Sequence, residues 1–176
     1  MSESTKKHKA KAPKQLKFAV FICSTSRYQE LQTGEKITDI SGDLIEALLK
    51  NAGNVVLSKK IIADDKHMIE ESVKRVLNSK ELDAAIFCGG TGVAAKDVTI
   101  ETVQSFFEKS LPGFGEIFRR LGYDKVGSAA VMSRALAGVA KGKALFCVPG
   151  SPDAVRLAVE TLILPEASHI VRHIRE

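Results

Sequence analysis

The sequence predicts an α/β fold with three layers: a mostly parallel sheet covered by helices on both faces. Short apolar runs alternate along the chain with segments whose apolar residues recur at helical spacing, and this alternation indicates parallel crossovers. Three of the runs, residues 16–23, 82–88 and 144–148, are apolar at almost every position, as is typical of central strands buried on both faces. With 44% hydrophobic and 27% charged residues among 176, the composition fits one globular domain.

The first half of the chain contains two predicted strands, at residues 16–23 and 55–62, each followed by a predicted helix. The helix between the strands is placed so that Gly53 can end it. Its apolar face consists of Ile37, Ile40, Leu44, Ile45, Leu48 and Leu49. After the second strand, Asp64 or Asp65 is suited to cap another helix. The apolar face of this helix consists of Ile69, Val73, Val76 and Leu77.

The middle of the chain begins with a third predicted strand at residues 82–88. Beyond it, Thr99 is suited to cap a helix. A further short helix is expected just before Gly122, and its apolar residues are Phe114, Ile117, Phe118 and Leu121. The segment 127–142 is rich in small residues, so its structure is ambiguous, with room for one or two short strands.

The last third contains a strand at residues 144–148 and two helices. Ser151 is suited to cap the first of these helices, because Pro152 follows it and proline favours the first helical position. Asp153 suits the positive end of the helix dipole. A final helix is expected to begin near Pro165.

The net charge of +5 is concentrated at the N-terminus. Residues 1–17 hold six lysines and one acid, so the remaining basic and acidic side chains balance. Residues 1–15 have almost no apolar content, and we expect them to form a mobile basic arm ahead of a single domain at residues 16–176. Because the body of the chain is neutral, nucleic acid is not an expected partner.

The sequence also limits the cellular context. No apolar stretch is long enough to span a membrane, and residues 1–15 lack the apolar core of a signal peptide, so we expect a cytoplasmic protein. The three cysteines, Cys23, Cys88 and Cys147, each lie in or at the end of an apolar run. This placement is typical of buried free thiols rather than of a disulfide framework or a zinc site.

Candidate binding residues lie in the loops that follow four of the predicted strands. In an open parallel sheet, ligands bind beyond the carboxyl ends of the strands. Three of these loops are made largely of glycine and hydroxyl residues, which let backbone amides approach an anion closely. Their members are Ser24, Thr25, Ser26, Gly89, Gly90, Thr91, Gly92, Pro149, Gly150 and Ser151. Each loop alone fits a tight turn or a helix start, but together they favour a phosphate-bearing ligand.

Charged residues beside these loops narrow the chemistry. The chain has no Walker A lysine motif, and no G-x-G-x-x-G follows the first strand, which disfavours P-loop hydrolysis and ordinary dinucleotide binding. Asp97 follows the GGTG loop, and Asp64 lies in the loop after the second strand. We therefore expect these acids to bind a Mg²⁺ ion together with phosphate oxygens. Helix capping is the alternative role for both acids. Arg134 is the favoured cation, ahead of Arg27, and no histidine is placed to act as a base.

Four ordered motifs carry a resemblance to a known family. The runs GGTGVAAKDVTIE, PGFGEIFR, GSAAVMSRALAG and VPGSPDAVRLA occur in that order, with CSTSR and SGDLI near the start. This chain resembles the MoaB/MogA family of molybdenum cofactor biosynthesis proteins, and the MoaB branch in particular, from about residue 16 to the end.

The resemblance implies a molybdopterin adenylyltransferase that converts Mg-ATP and molybdopterin into adenylyl-molybdopterin and pyrophosphate. By position, Asp97 matches the family's catalytic aspartate, Asp64 matches its second acid, and Ser133 and Arg134 line the same pocket. Lys96 stands where the family usually has arginine. The resemblance further implies a homo-oligomer, either a trimer or a dimer of trimers, and other molybdenum cofactor enzymes as partners.

Two other functions fit the same sequence. A non-catalytic paralogue would bind molybdopterin as a carrier or scaffold without forming product. The related fold of CinA-like proteins implies action on nicotinamide nucleotides. The sequence does not distinguish a molybdenum pathway from a tungsten pathway, because neither metal need bind to this protein.

Overall fold

The computed structural model describes residues 13–176, and its strands and helices alternate along the chain. The elements are β1 (Lys17–Cys23), α1 (Thr25–Thr33), α2 (Ile40–Asn51), β2 (Val55–Ile62), α3 (Lys66–Asn78), β3 (Ala84–Cys88), α4 (Thr99–Gln104), β4 (Lys109–Ser110), α5 (Pro112–Val126), a 3₁₀ helix (Gly127–Met132), β5 (Leu136–Ala140), β6 (Lys143–Val148), α6 (Pro152–Ala158), a π-helical turn (Val159–Ile163) and α7 (Leu164–His173). Residues 1–12 of the predicted arm lie outside the described residues. Its last residue, Gln15, donates a hydrogen bond to the carbonyl of Gly53 at 2.9 Å.

The six strands form one sheet in the order β2-β1-β3-β6-β5-β4. The first four strands in this order are parallel, with β1 between β2 and β3, and β3 beside β6. Strand β5 runs antiparallel to β6, and β4 antiparallel to β5. The prediction of a mostly parallel sheet is confirmed, and its antiparallel edge arises where segment 127–142 folds back through a two-residue turn. In that turn both Lys141 and Gly142 have positive φ, as a tight hairpin requires.

Helices cover both faces of the sheet, which confirms the three-layer architecture. Because side chains alternate along a strand, Phe18, Val20 and Ile22 of β1 enter one core with α2, α5, α6 and α7. On the opposite face, Ala19 and Phe21 enter a second core with α3 and α4. The rings of Phe21 and Phe87 stack there with centroids 4.9 Å apart.

The structure corrects several predicted helices. Helix α1, which the sequence analysis missed, has no buried residue and so no apolar stripe to reveal it. Helix α2 begins at Ile40 rather than at Ile37, because Asp39 caps it. The side chain of Ile40 is 58% exposed, while Ile45 and Leu49 reach the core.

Two further predictions about helix ends were wrong. Helix α5 does not stop before Gly122 but continues through that glycine to Val126. Thr99 does not cap α4, whose N-cap is Val98 without a side-chain hydrogen bond. The predicted cap at Ser151 is confirmed, since its hydroxyl accepts from the backbone N–H of Ala154 at 3.3 Å.

Candidate functional site

A crevice of about 340 Å³ lies at the carboxyl edge of the parallel strands. Because β1, β2, β3 and β6 run in the same direction, the four loops that follow them share this edge. The backbone joins neighbouring loops directly, since Gly89 N–H donates to the carbonyl of Val148 at 3.0 Å. The crevice is lined by Gly89, Gly90, Thr91, Gly92, Asp97, Met132, Ser133, Arg134, Pro149 and Gly150.

Glycines 89 and 90 are required by the shape of the loop after β3. Both have positive φ, +100° at Gly89 and +59° at Gly90, in the region that side chains disfavour. A Cβ at Gly89 would overlap the carbonyl oxygen of Cys23, and one at Gly90 would overlap the carboxylate of Asp64. The absence of side chains therefore lets an acid from the neighbouring loop pack against the backbone of this one.

Asp64 lies behind the glycine loop, between α1 and α4. Its backbone N–H donates to the hydroxyl of Thr25 at 3.1 Å, and its carboxylate accepts from the hydroxyl of Thr99 at 3.4 Å. Asp65 caps α3 by accepting from Met68 N–H at 2.9 Å, which leaves Asp64 free of that role. The alternative of a helix cap at position 64 is therefore excluded.

The electrostatic environment of Asp64 favours a nearby cation. Burial and then the negative charge of Asp97 raise the pKa of the Asp64 carboxyl above its ordinary range. The hydrogen bond from Thr99 and the charge of Lys96 act in the opposite direction. A cation close to Asp64 would offset this burial and this repulsion.

Asp97 lines the crevice directly and closes the turn that leads into α4. Its carboxylate accepts from the backbone N–H of Ala94 at 2.8 Å, and a Cβ at Gly92 would meet that carboxylate at 2.6 Å. The turn therefore holds the acid against the glycine loop, facing the crevice.

Arg134 supports the same loop from the far wall. Its Nε donates to the carbonyl of Thr91 at 2.9 Å, while Nη1 and Nη2 lie 2.7 and 3.1 Å from the two carboxylate oxygens of Glu101. The guanidinium lowers the pKa of Glu101 through this contact. Three of the five donors of the side chain are thus engaged within the protein.

Four of the predicted binding residues do not line the crevice, and neither does Asp64, which lies behind Gly90. Ser24 caps α1 by accepting from Arg27 N–H, Ser26 lies 3.3 Å from the Ser24 hydroxyl, and Thr25 accepts from Asp64. Ser151 caps α6. These hydroxyls are used for capping and for joining loops, because each follows a strand at the start of a helix. Ser133, in contrast, lines the crevice beside Arg134.

Asp39 is a residue that the sequence analysis missed. It caps α2 by accepting from Gly42 N–H at 3.0 Å, and it pairs with Arg27 at 3.5 Å. Its second oxygen, Oδ2, is buried without a hydrogen-bond partner among residues 13–176. The neighbouring Ser41 hydroxyl donates to the carbonyl of Gly150 at 2.7 Å, which places the start of α2 against the crevice wall. The sequence signal was an aspartate three residues before a helical Gly, a capping pattern.

Two absences hold for the part of the chain that the structure describes. No three His, Cys, Asp or Glu side chains there group closely enough to hold a metal ion by themselves. None of its helices has the length and apolar character needed to cross a membrane.

Comparisons with known proteins agree with this architecture. A family model described as a probable molybdopterin binding domain matches residues 19–169. The chain is 44% identical over 174 residues to molybdenum cofactor biosynthesis protein B of Bacillus subtilis strain 168, covering 98% of both chains. It is 41% identical over 163 residues to a probable molybdopterin adenylyltransferase of Methanocaldococcus jannaschii, covering 93% of this chain and 96% of the relative.

Solved structures extend the comparison to three dimensions. A crystal structure of molybdenum cofactor biosynthesis protein B superimposes with a TM-score of 0.85 at 40% identity, over 94% of this chain and 99% of the other. The tungsten cofactor synthesizing protein MoaB from Pyrococcus furiosus gives 0.82 at 37% identity, over 94% and 100%. The chain therefore belongs to the MoaB/MogA family, whose shared domain is described as a probable molybdopterin binding domain.

Proposed function

We propose that this protein is a molybdopterin adenylyltransferase, which transfers the adenylyl group of ATP to the terminal phosphate of molybdopterin and releases pyrophosphate. The observation that carries the proposal is the glycine-rich crevice on the carboxyl edge of the sheet, which Asp97 lines, with the carboxylate of Asp64 packed against Gly90 of the same glycine loop. The name of the Methanocaldococcus jannaschii relative, a probable molybdopterin adenylyltransferase, supports the same activity.

Adenylyl transfer requires alignment of the two substrates more than covalent catalysis by the protein. A phosphate oxygen of the pterin attacks the α-phosphorus of ATP, and the bond to the bridging oxygen breaks as pyrophosphate leaves. The nucleophile is already ionised at neutral pH, so no base is needed. Among residues 13–176, no histidine lines the crevice. We expect backbone amides of the glycine loop, other than that of Gly89, to bind phosphate oxygens, and Arg134 holds that loop through its hydrogen bond to Thr91.

Mg²⁺ is the cofactor that we propose for this site. Asp64 and Asp97 would hold it, because the charge of Asp97 disfavours the ionised form of Asp64 in the absence of a cation and hard oxygen ligands suit this ion. When bound, the ion would neutralise charge that develops on the transferred phosphate. The charge of Lys96 acts to lower the pKa of Asp64, against the net upward shift. Lysine supplies a point charge, but it cannot bind a phosphate through two nitrogens as arginine does.

A homo-oligomer forms part of the proposal. Helix α5 and the 3₁₀ helix after it expose large apolar side chains that a monomer would leave in water. The members of this apolar face are Tyr123 (59% exposed), Val126 (57%), Val131 (80%) and Met132 (56%). Because Met132 also lines the crevice, a second copy packed on this face would form part of the binding site. A trimer, or a dimer of trimers, is the assembly that we propose.

The activity is tested by measuring pyrophosphate release from ATP and molybdopterin with Mg²⁺ present. Asp97→Asn should abolish release with the fold intact, because the neutral amide cannot share a cation with Asp64. The matched control is Asp65→Asn, which changes a neighbouring acid from carboxylate to amide and keeps the helix cap. Tight molybdopterin binding by the wild-type protein without any ATP-dependent product would instead identify a carrier.

A further inference from the structure

Two histidines lie together on the last helix, far along the chain from the crevice residues. His169 and His173 are one helical turn apart on α7, with their Nε2 atoms 2.9 Å from each other and their rings edge to face. Residues four apart lie on the same face of a helix, so the backbone fixes this juxtaposition. The His169 side chain is only 23% exposed.

Each histidine is oriented by a carboxylate on its other nitrogen. Nδ1 of His169 lies 3.2 Å from Glu166, and Nδ1 of His173 lies 3.1 Å from Glu176. Nη2 of Arg172 lies 2.8 Å from the same Glu176 carboxylate, which therefore accepts from both side chains. We assign the proton of each ring to Nδ1 from this hydrogen-bond pattern.

The two Nε2 lone pairs therefore point at each other. Two neutral rings in this tautomer would repel at 2.9 Å unless a cation lies between them. A shared proton meets this requirement, and so does a metal ion bound to both nitrogens. Tetrahedral zinc, with Zn–N bonds of about 2.0–2.1 Å, needs its two nitrogens roughly 3.3 Å apart, so a small rotation of the rings suffices.

We propose that His169 and His173 form a two-histidine chelate for Zn²⁺, separate from the Asp64–Asp97 crevice. Two histidines at i and i+4 on a helix present their nitrogens to one ion, and carboxylates on the far nitrogens raise ligand basicity. No third protein ligand is grouped here within residues 13–176, so the proposal takes water as the remaining ligands. An opening of about 460 Å³ beside the pair, lined also by Glu108 and Lys109, gives room for that water.

The charges around the pair set the strength of the site. Glu166, Glu176 and Glu108 favour a cation, whereas Lys109 in the same opening opposes it. Arg172 and Arg175 are engaged with Glu176 and Asp83, which limits their repulsion. A site with two protein ligands should therefore bind zinc reversibly rather than as a permanent structural ion.

The test is zinc titration of the full chain without a histidine tag, after treatment with a chelator, followed by calorimetry at pH 7.5. The wild-type protein should take up one saturable equivalent of zinc per chain. His169→Gln and His173→Gln should each abolish that equivalent, and His67→Gln, at an exposed position on α3, should leave it unchanged. Equal uptake by the wild type and both site variants would overturn the proposal.

A second measurement does not depend on how the variants fold. X-ray absorption by the wild-type protein loaded with one equivalent of zinc should show scattering from two imidazole rings. A coordination shell without imidazole would place the ion elsewhere and overturn the proposal.

Discussion

Arg134 binds Glu101 through both terminal nitrogens of its guanidinium, with distances of 2.7 and 3.1 Å to the two carboxylate oxygens. The two residues belong to different parts of the fold, since Glu101 lies in the first turn of α4 and Arg134 follows the 3₁₀ helix. Arg134 also donates to the carbonyl of Thr91, and this hydrogen bond connects the Arg134–Glu101 pair to the glycine loop. The pair thus sets the position of the loop that we propose for phosphate binding.

Arg134→Lys should raise KM for molybdopterin roughly tenfold, because lysine keeps the charge but cannot bridge Glu101 and Thr91 together. The measurement is steady-state pyrophosphate release over a range of pterin concentrations. The control is Arg156→Lys, which alters the exposed ion pair between Arg156 on α6 and Glu160 in the π-helical turn. An unchanged KM in the Arg134 variant would contradict a positioning role for this residue.

Asp64→Asn should raise the melting temperature while it abolishes activity. Burial and Asp97 raise the pKa of this carboxyl, so the folded state holds the proton more tightly than the unfolded chain does. The ionised form therefore costs stability once the pH has risen through the raised pKa. The neutral amide removes that cost at pH 7 and still accepts from Thr99, so we expect a rise of about 2 °C.

Thermal unfolding without Mg²⁺, followed by circular dichroism, measures this effect. At a pH below the ordinary carboxyl pKa, the difference between wild type and variant should vanish, because both side chains are then neutral. Asp65→Asn should melt close to the wild type. A variant at position 64 that melts well below the wild type at pH 7 would show that the carboxylate stabilises the fold.

The pKa of Asp64 should fall when Asp97 becomes asparagine. The charge of Asp97 is the second cause of the upward shift, and burial, the first, remains in the variant. The pKa should therefore move toward its ordinary range without reaching it. Carboxyl-carbon NMR of labelled protein follows this titration, and an unmoved pKa would mean that the two acids do not interact.

Gly90→Ala should destabilise the fold by about 1–3 kcal/mol, because a side chain at φ +59° is strained and would overlap Asp64. Gly113→Ala is the matched control, since this glycine lies in the first turn of α5 with open space around it. The control should change stability by less than about 1 kcal/mol. Urea unfolding measures both values, and similar values would argue against a tight contact between the glycine loop and Asp64.

The sequence predicted those parts of the fold that depend on local pattern. Runs such as residues 144–148 are apolar throughout, so β6 and the cap at Ser151 after it could be recognised directly. The gathering of the glycine loops followed from parallel strand direction alone. Helix α1 could not be found in this way, because it buries none of its residues.

Features that depend on distant residues were out of reach. Glu101 lies 33 positions before Arg134, and nothing in either segment marks the other as its partner. The buried oxygen of Asp39 is likewise a product of packing between α2 and the sheet. The antiparallel pairing of β5 with β6 was missed for a different reason, because it depends on a local turn. Lys141 in that turn has a positive φ, which is uncommon for a residue other than glycine.

Val131→Glu should dissociate the proposed oligomer. Val131 is the most exposed member of the apolar face, at 80%, and a charge buried there on association would lack a partner. Light scattering after size exclusion should give three or six times the chain mass for the wild type and a lower multiple for the variant. Leu31→Glu, at an exposed apolar position on α1, should keep the wild-type mass. Since Met132 belongs to both the apolar face and the crevice, pyrophosphate release should fall together with the mass. A dissociated variant with full activity would show that each crevice is complete within one chain.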